Sequence, residues 1–288
     1  MKTRLPYQLA SSLWCALLGF GLAASAHGQS ASGAEGLLND HWVVNMGGYF
    51  FNSNVKANLN GQSRINPEID FDHEFGKADD SRRVRADVLW RITPHHHLSL
   101  MYFDNTRTRS KALERDLQWG DYTFSLGATA EFKEKIKVME VAYEYAFVHS
   151  PTYELAANIG VHYMETKLQL SGTATFTDSS GNTSSASATS KVSSLPAPLP
   201  VIGLRGGWVL HPDWYLDAQG QFFKVKVGDY DGYWSDLRVG VTWMFARHFG
   251  LGLGYDRFMT NLDVKKNDFD GRLKSGYSGL QAYLTGTF

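Results

Sequence analysis

Two aspartates and a histidine lie close together in the segment Ile69-Asp70-Phe71-Asp72-His73-Glu74. Paired acids beside an imidazole can position a water molecule and remove its proton, so this segment is a candidate for hydrolytic chemistry. The same residue types are common in a solvated surface loop, where they interact with water or hold a divalent cation weakly. The pattern of the rest of the sequence distinguishes a catalytic site from an exposed loop.

The run His95-His96-His97 is a second candidate. Imidazole is a common metal ligand, but three consecutive histidines in an extended turn cannot all face one ion. We therefore predict three solvated turn residues and no metal. The glycines at 250, 252 and 254 are not a phosphate-binding loop, because no helix is predicted after them. We interpret them as small residues that leave room inside a closed sheet.

The composition favours β structure. The chain has 288 residues and a formal net charge of −1; aromatic residues make up 14% and glycine occurs 28 times. Aromatic residues favour strands, and the balanced charge argues against a nucleic-acid partner. No cofactor motif is present, and we predict none.

The first 26 residues have the pattern of a secretory signal peptide. A short basic start precedes an apolar stretch from Leu9 to Leu22, and Ala24-Ser25-Ala26 offers a cleavage site. A retained anchor is the alternative, although the apolar stretch is short for a membrane span. We predict one exported domain, residues 27–288. Cys15, the only cysteine, would be removed with the signal, so the domain would have no disulfide.

Apolar and polar residues alternate along most of this domain. Leu237, Val239, Val241 and Trp243, for example, alternate with Arg238 and other polar or small residues. A period of two indicates strands with one apolar face, and each apolar set is about nine residues long, enough for a tilted strand to cross a bilayer. Ten such segments predict an all-β, transmembrane, antiparallel up-and-down β-barrel, with eight or twelve strands as alternatives.

The predicted connections alternate between short and long. Short turns contain Pro94, Pro151, Pro212 and Arg247. Long loops are predicted at roughly 54–83, 106–134, 167–198 and 263–272, with a shorter one near 228–233. The Ser/Thr-rich segment 171–194 is predicted to be a mobile surface loop, with a protruding hairpin as the alternative.

Charged residues at the inward parity would face the lumen. A narrow barrel is filled by side chains, so we predict a paired ionic and hydrogen-bonded plug. A conduit for small solutes and a buried catalytic group are the alternatives. The predicted luminal polar network consists of Arg85, Asp87, Arg91, Glu140, Glu144, Glu154, His162, Arg205, Asp217, Asp236 and Arg238.

Five tryptophans take the outward parity beside a chain end or a short turn. Indole favours the membrane interface because its body is apolar and its N–H needs a polar partner. A soluble β protein would instead bury these residues in a core. The predicted periplasmic aromatic rim consists of Trp42, Trp90, Trp208, Trp214 and Trp243.

The last strand continues to Phe288, with Leu284 and Leu280 at alternate positions before it. This pattern resembles the signal that the barrel-assembly machinery reads. Together with the signal peptide, hairpins and aromatic rim, it makes the chain resemble the small outer-membrane β-barrel proteins of Gram-negative bacteria. The resemblance implies a location in the outer membrane, both termini in the periplasm, and contact with outer-membrane lipid and lipopolysaccharide.

The resemblance does not define an activity. We predict a barrel of the cell envelope without catalytic activity, serving as a narrow porin-like channel, a surface-binding protein or a structural component. The alternative is a hydrolase acting on lipid A or peptides. Outer-membrane proteases with ten strands also carry two aspartates spaced by one residue, but they need an Asp-x-His pair that this sequence lacks. The His-x-Ser of lipid A deacylases occurs only as His97-Leu98-Ser99, beside a predicted periplasmic turn.

Overall fold

The computed structural model describes residues 33–59, 68–76, 80–119, 122–177, 183–193, 197–227, 230–266 and 269–288. The predicted signal peptide and the domain boundary after residue 26 lie outside these residues. Two short helices and fourteen strands are present in the described part of the chain.

Ten long strands form the barrel: β1 (Trp42–Leu59), β3 (Asp80–Arg91), β4 (His96–Ala112), β7 (Thr129–His149), β8 (Tyr153–Thr177), β10 (Ala197–His211), β11 (Trp214–Val227), β12 (Tyr230–Ala246), β13 (Phe249–Lys266) and β14 (Phe269–Thr287). The other elements are β2 (Ile69–Asp70), β5 (Leu117–Trp119), β6 (Tyr122–Phe124), β9 (Thr183–Ser193), α1 (Gly33–Asn39) and α2 (Phe71–Phe75).

The barrel is antiparallel and closed. Each long strand pairs with the next along the chain, and β14 pairs with β1 from Val43↔Thr287 onward. The all-β barrel and its ten strands are therefore confirmed. Closure by the first and last strands leaves neither of them as an unpaired edge, which backbone groups in lipid could not tolerate.

Short turns after β3, β7, β10 and β12 lie at one end of the barrel, together with the chain's last residue. We call this the turn end, and the opposite end the loop end. The predicted short turns are confirmed, but the predicted long loops are largely wrong. Strand β7 starts at Thr129 and β8 continues to Thr177, so both run far past their predicted limits.

Strand β7 shows why these limits were underestimated. Toward the turn end its exposed residues are apolar, such as Val141 and Tyr143, and its buried residues include Glu140 and Glu144. Toward the loop end the pattern inverts: Lys133 is exposed, whereas Phe132 and Ile136 are buried. A strand that passes from lipid into water must change which face is apolar. The pattern of outward apolar residues therefore ends halfway along β7, which is why the predicted strand was too short.

The described part of the Ser/Thr-rich segment, up to Thr177 and from Thr183 to Ser193, forms paired strands and not a loop. Strand β9 pairs with the distal half of β8 from Lys167↔Ser193 to Thr177↔Thr183. Threonine is a strand former, and Ala188 packs against a buried cluster. The hairpin alternative is the correct one for this segment.

Each helix lies at one end of the barrel. At the turn end, Ala34, Leu37 and Leu38 of α1 are buried with Tyr215 and Met244. At the loop end, α2 buries Phe71 and Phe75. Asp70 caps α2 by accepting a hydrogen bond from the His73 amide, 3.1 Å away. None of the helices in the described ranges is long and apolar enough to cross a membrane.

Candidate functional site: the barrel interior

The interior is filled in layers, beginning with an ionic network at the turn end. Arg205 on β10 donates to Glu144 on β7 and to Glu154 on β8, each at 2.6 Å. His149 Nδ1 lies 3.0 Å from Glu154. Arg91 donates to the carbonyl of Leu37 at 2.7 Å. The network therefore connects the barrel wall to α1.

The central network joins strands on opposite sides of the lumen. Arg85 on β3 donates to Asp256 on β13 at 2.9 Å and to the hydroxyl of Tyr49 at 2.8 Å. Tyr49 in turn donates to Asp256 at 2.5 Å. Arg238 on β12 donates to Asp87 on β3 at 3.1 Å. Paired charges of this kind satisfy one another where water is scarce.

A third contact set lies beside the central network. Glu140 lies 2.6 Å from His162 Nε2 and accepts a hydrogen bond from Gln221 at 2.5 Å. The His162 ring stacks on Trp234, with ring centres 4.1 Å apart. Trp234 belongs to a buried apolar layer across the lumen. This layer consists of Tyr49, Phe103, Ile136, Val138, Val201, Trp234, Phe258 and Tyr277.

A small polar cavity remains between α1 and the central network. Its volume is about 80 Å³, and Asn45, Asp217, Thr242 and Tyr283 are among its lining residues. A polar cavity of this size can hold a few water molecules. The apolar layer and α2 lie between this cavity and the loop end.

All eleven residues of the predicted luminal network lie inside the barrel, buried or half-buried. Nine of them contribute to the contacts above. Asp217 lies 3.8 Å from Arg238, and Asp236 is buried on β12. Several partners were not predicted. Asp256 has the inward parity of the glycines at 250, 252 and 254, so the alternation on β13 could have revealed it.

Two predictions about the candidate chemical residues are wrong. His97 is not a solvated turn residue: it is fully buried in strand β4, and its Nδ1 lies 3.4 Å from Arg205. Phe71 and Asp72 are not in a solvated loop either, because α2 packs into the loop end of the barrel. The described residues include no group of three or more His, Cys, Asp or Glu side chains placed to hold a metal ion.

The glycines of β13 accommodate neighbouring side chains. A Cβ added to Gly252 would lie 2.0 Å from the ring of Tyr283, and one added to Gly250 would lie 2.5 Å from the sulfur of Met244. The inward glycines therefore leave room for large luminal residues on the adjacent strands.

The outward residues form an apolar belt. Four of the five predicted rim tryptophans are exposed, and the rings of Trp42 and Trp90 stack at 5.2 Å. Trp208 is the exception: it is half-buried, and its ring lies over Gly206. Leu280, Leu284 and Phe288 are exposed to 60%, 60% and 55%. A core-packed soluble protein would not present these side chains outward.

At the loop end, a packed and buried aromatic cluster lies beside two arginines. Phe71 of α2 stacks on Phe132 of β7 with ring centres 3.9 Å apart, and meets Trp119 edge-on at 5.2 Å. Arg109 pairs with Asp72 of α2. Arg107 donates from Nε to Glu134 at 2.8 Å. We refer to this set as the loop-end slot.

A closed barrel with an outward apolar belt and a polar interior defines a class, the transmembrane β-barrels of outer membranes. Comparison with solved structures agrees. The outer membrane protease OmpT from Escherichia coli has a TM-score of 0.54 and 11% identity, covering 86% of this chain and 96% of that chain. The chain therefore has the fold of outer-membrane β-barrel proteins.

Two other solved structures are similar with lower scores. The P. putida toluene transporter TodX has a TM-score of 0.36 and 9% identity, covering 90% of this chain and 93% of that chain. The attachment invasion locus protein Ail of Yersinia pestis has a TM-score of 0.26 and 11% identity, covering 85% of this chain and 97% of that chain. No protein-family model and no curated protein sequence matches the chain.

Proposed function

We propose that this protein is an outer-membrane barrel that is closed through its centre and acts by binding at its loop end, without catalytic activity. The observation that carries this proposal is the contact of Arg238 with Asp87, at 3.1 Å, between strands separated by three others. In a ten-strand barrel such a contact crosses the lumen. The turn-end network, the apolar layer and the two helices add further obstruction to solute passage.

The proposed orientation has the turn end in the periplasm and the loop end outside the cell. The signal-peptide pattern, the outward rim tryptophans and the terminal Phe288 support it, since outer-membrane barrels have short periplasmic turns. Leu280, Leu284 and Phe288 would then be the strand that the assembly machinery reads. Membrane lipid and lipopolysaccharide would surround the apolar belt.

Single-channel recording from refolded protein in a planar bilayer tests the closed state. We expect no steady openings from the wild type, because the luminal contacts would block a continuous pore. The double variant Asp87→Ala, Arg238→Ala removes both partners of the crossing contact and should increase the frequency of openings. Insertion is checked by protease protection of the belt. Regular openings of the inserted wild-type protein would refute the closed-barrel proposal.

A further inference from the structure

The loop-end slot has two chemical halves. One half is a flat aromatic stack, in which Phe71 lies 3.9 Å from Phe132 and edge-on to Trp119. Leu168 and Leu170 of β8 belong to the same buried cluster. Phe71 is fully buried, so the half that it occupies excludes water and favours a planar apolar group.

The other half is a pair of buried guanidinium groups. Arg107 and Arg109 are 4% and 2% exposed, and their carboxylate partners are Glu134 and Asp72. Asp72 also lies 3.8 Å from Arg107. A guanidinium presents a planar fork of donors that suits a carboxylate. Only Asp72 of these two acids comes from α2; Glu134 belongs to the barrel wall.

Donors remain unused in this slot. In the described structure, Arg109 Nε and Nη1 and Trp119 Nε1 are buried without a hydrogen-bond partner. Arg109 also lies over the ring of Phe132, 5.8 Å from its centre. A buried donor without an acceptor is destabilising, so three in one place call for an acceptor that α2 does not supply.

Consecutive residues of α2 thus place an aromatic ring in the apolar half and a carboxylate in the cationic half. We propose that the loop-end slot is a binding site for small aromatic carboxylates, and that Phe71 and Asp72 are an internal substitute for that ligand. The inference deepens the proposed loop-end binding role and rests on it. An incoming carboxylate replaces Asp72 on Arg109 with the same charge, and can also accept from donors that Asp72 leaves unused.

The test measures binding of 2-naphthoate to the refolded mature protein in detergent micelles by isothermal titration calorimetry. 2-Naphthamide, which has the same ring system without the charge, is the matched control ligand. Asp72→Asn weakens the internal substitute while keeping its shape, so we expect at least tenfold tighter binding of 2-naphthoate than in the wild type. The affinity for 2-naphthamide should change less than threefold.

Two further variants separate the slot from a general effect on the loop end. Arg109→Lys in the Asp72→Asn background keeps the charge but loses the planar fork, and should weaken 2-naphthoate binding at least tenfold. Glu114→Gln removes an exposed acid paired with Lys111, and should leave both affinities unchanged. Each variant is accepted only when it shows the wild-type shift in electrophoretic mobility on heating.

The two experiments separate failure of the ligand site from failure of the closed barrel. Equal affinities for the acid and the amide in Asp72→Asn, or no gain over the wild type, would overturn the inference. Steady channel openings would instead refute the closed barrel while leaving a selective slot intact. If Asp72→Asn does not fold, Phe71→Ala serves as the second variant, because it vacates the aromatic half and should also strengthen 2-naphthoate binding.

Discussion

Arg238 and Asp87 meet at 3.1 Å across the interior, although three strands separate them around the barrel wall. The contact is mostly shielded, with 15% and 14% of the two side chains exposed. Asp87 also accepts from Arg85 at 2.9 Å. The contact of Arg238 with Asp87 therefore holds β12 and β3 at a fixed separation, and Arg85 fixes the Asp87 carboxylate within β3.

Removing Arg238 should destabilise the barrel. We expect Arg238→Ala to lower the free energy of unfolding by roughly 3 kcal/mol, because it leaves buried acids without part of their compensation. Urea titration of the protein in micelles, followed by tryptophan fluorescence, measures the change. Arg257→Ala, on the exposed face of the adjacent strand β13, is the matched control and should change the free energy by less than about 0.5 kcal/mol. Equal effects would show that the crossing contact has no special role.

Gly252 should not tolerate a side chain. Because an added Cβ would lie 2.0 Å from the Tyr283 ring, Gly252→Ala should cost about 1–3 kcal/mol through overpacking. Gly220→Ala is the control, since its Cβ would meet only Leu237 at 3.8 Å. The same urea titration compares both. An unchanged midpoint for Gly252→Ala would mean that Tyr283 moves aside freely.

Brominated lipid should quench the fluorescence of the outward tryptophans strongly and that of the buried tryptophans weakly. A variant that retains only Trp42, Trp90, Trp214 and Trp243 should be quenched strongly in vesicles of brominated phospholipid. A variant that retains only Trp119 and Trp234, which are 1% and 3% exposed, should be quenched weakly. Unbrominated vesicles give the reference intensity. Similar quenching of the two variants would contradict the membrane-facing belt.

Asp40 should make the attachment of α1 depend on pH. Burial alone would raise the pKa of Asp40, but the hydrogen bonds from Arg247 and Thr287 and the nearby charge of Arg247 outweigh burial and lower this pKa. A carboxyl whose pKa is lowered on folding contributes stability at higher pH and loses it as the pH falls through the lowered value. The contribution is therefore complete above the ordinary pKa of an aspartate and is lost as the pH falls through the lowered pKa.

The comparison of wild type with Asp40→Asn isolates this effect. The difference in their unfolding free energies, measured in urea between pH 6 and pH 2.5, should be greatest at pH 6 and narrow toward zero. Arg247→Gln should reduce the same pH dependence, since Asp40 then loses a partner 2.9 Å away. A difference that stays constant over this range would exclude Asp40 as the titrating group.

Alternation along the strands was sufficient to predict the barrel, its ten strands and which charged residues face inward. Side-chain parity has a period of two in any strand, so Arg85, Glu140 and Arg205 could be placed before their partners were known. The partners themselves depend on strand tilt and closure. The contact between Arg85 and Asp256, for example, joins strands that are not neighbours.

The two helices were missed for a different reason. The five residues of α2 are too few for a periodic pattern. Its local signals were nevertheless present: Asp70 as the cap, Phe71 and Phe75 four residues apart, and Gly76 after the last turn, with a φ of 67°. Burial of the two rings in the barrel, and not helix propensity, is what stabilises so short a helix.

The change of apolar face along β7 also sets the depth of the barrel in a membrane. Moving the barrel toward its turn end by two residues, about 7 Å along the strand, would bring Lys137 to the level in the membrane that Met139 now occupies. The Lys137 charge would then lose its contact with water. Phe132 lies five residues beyond Lys137, roughly 17 Å farther along the strand. In the proposed orientation, the slot that Phe132 forms with Phe71 would therefore lie on the aqueous side of the apolar belt. A ligand would arrive there from water, and would not first have to dissolve in the bilayer.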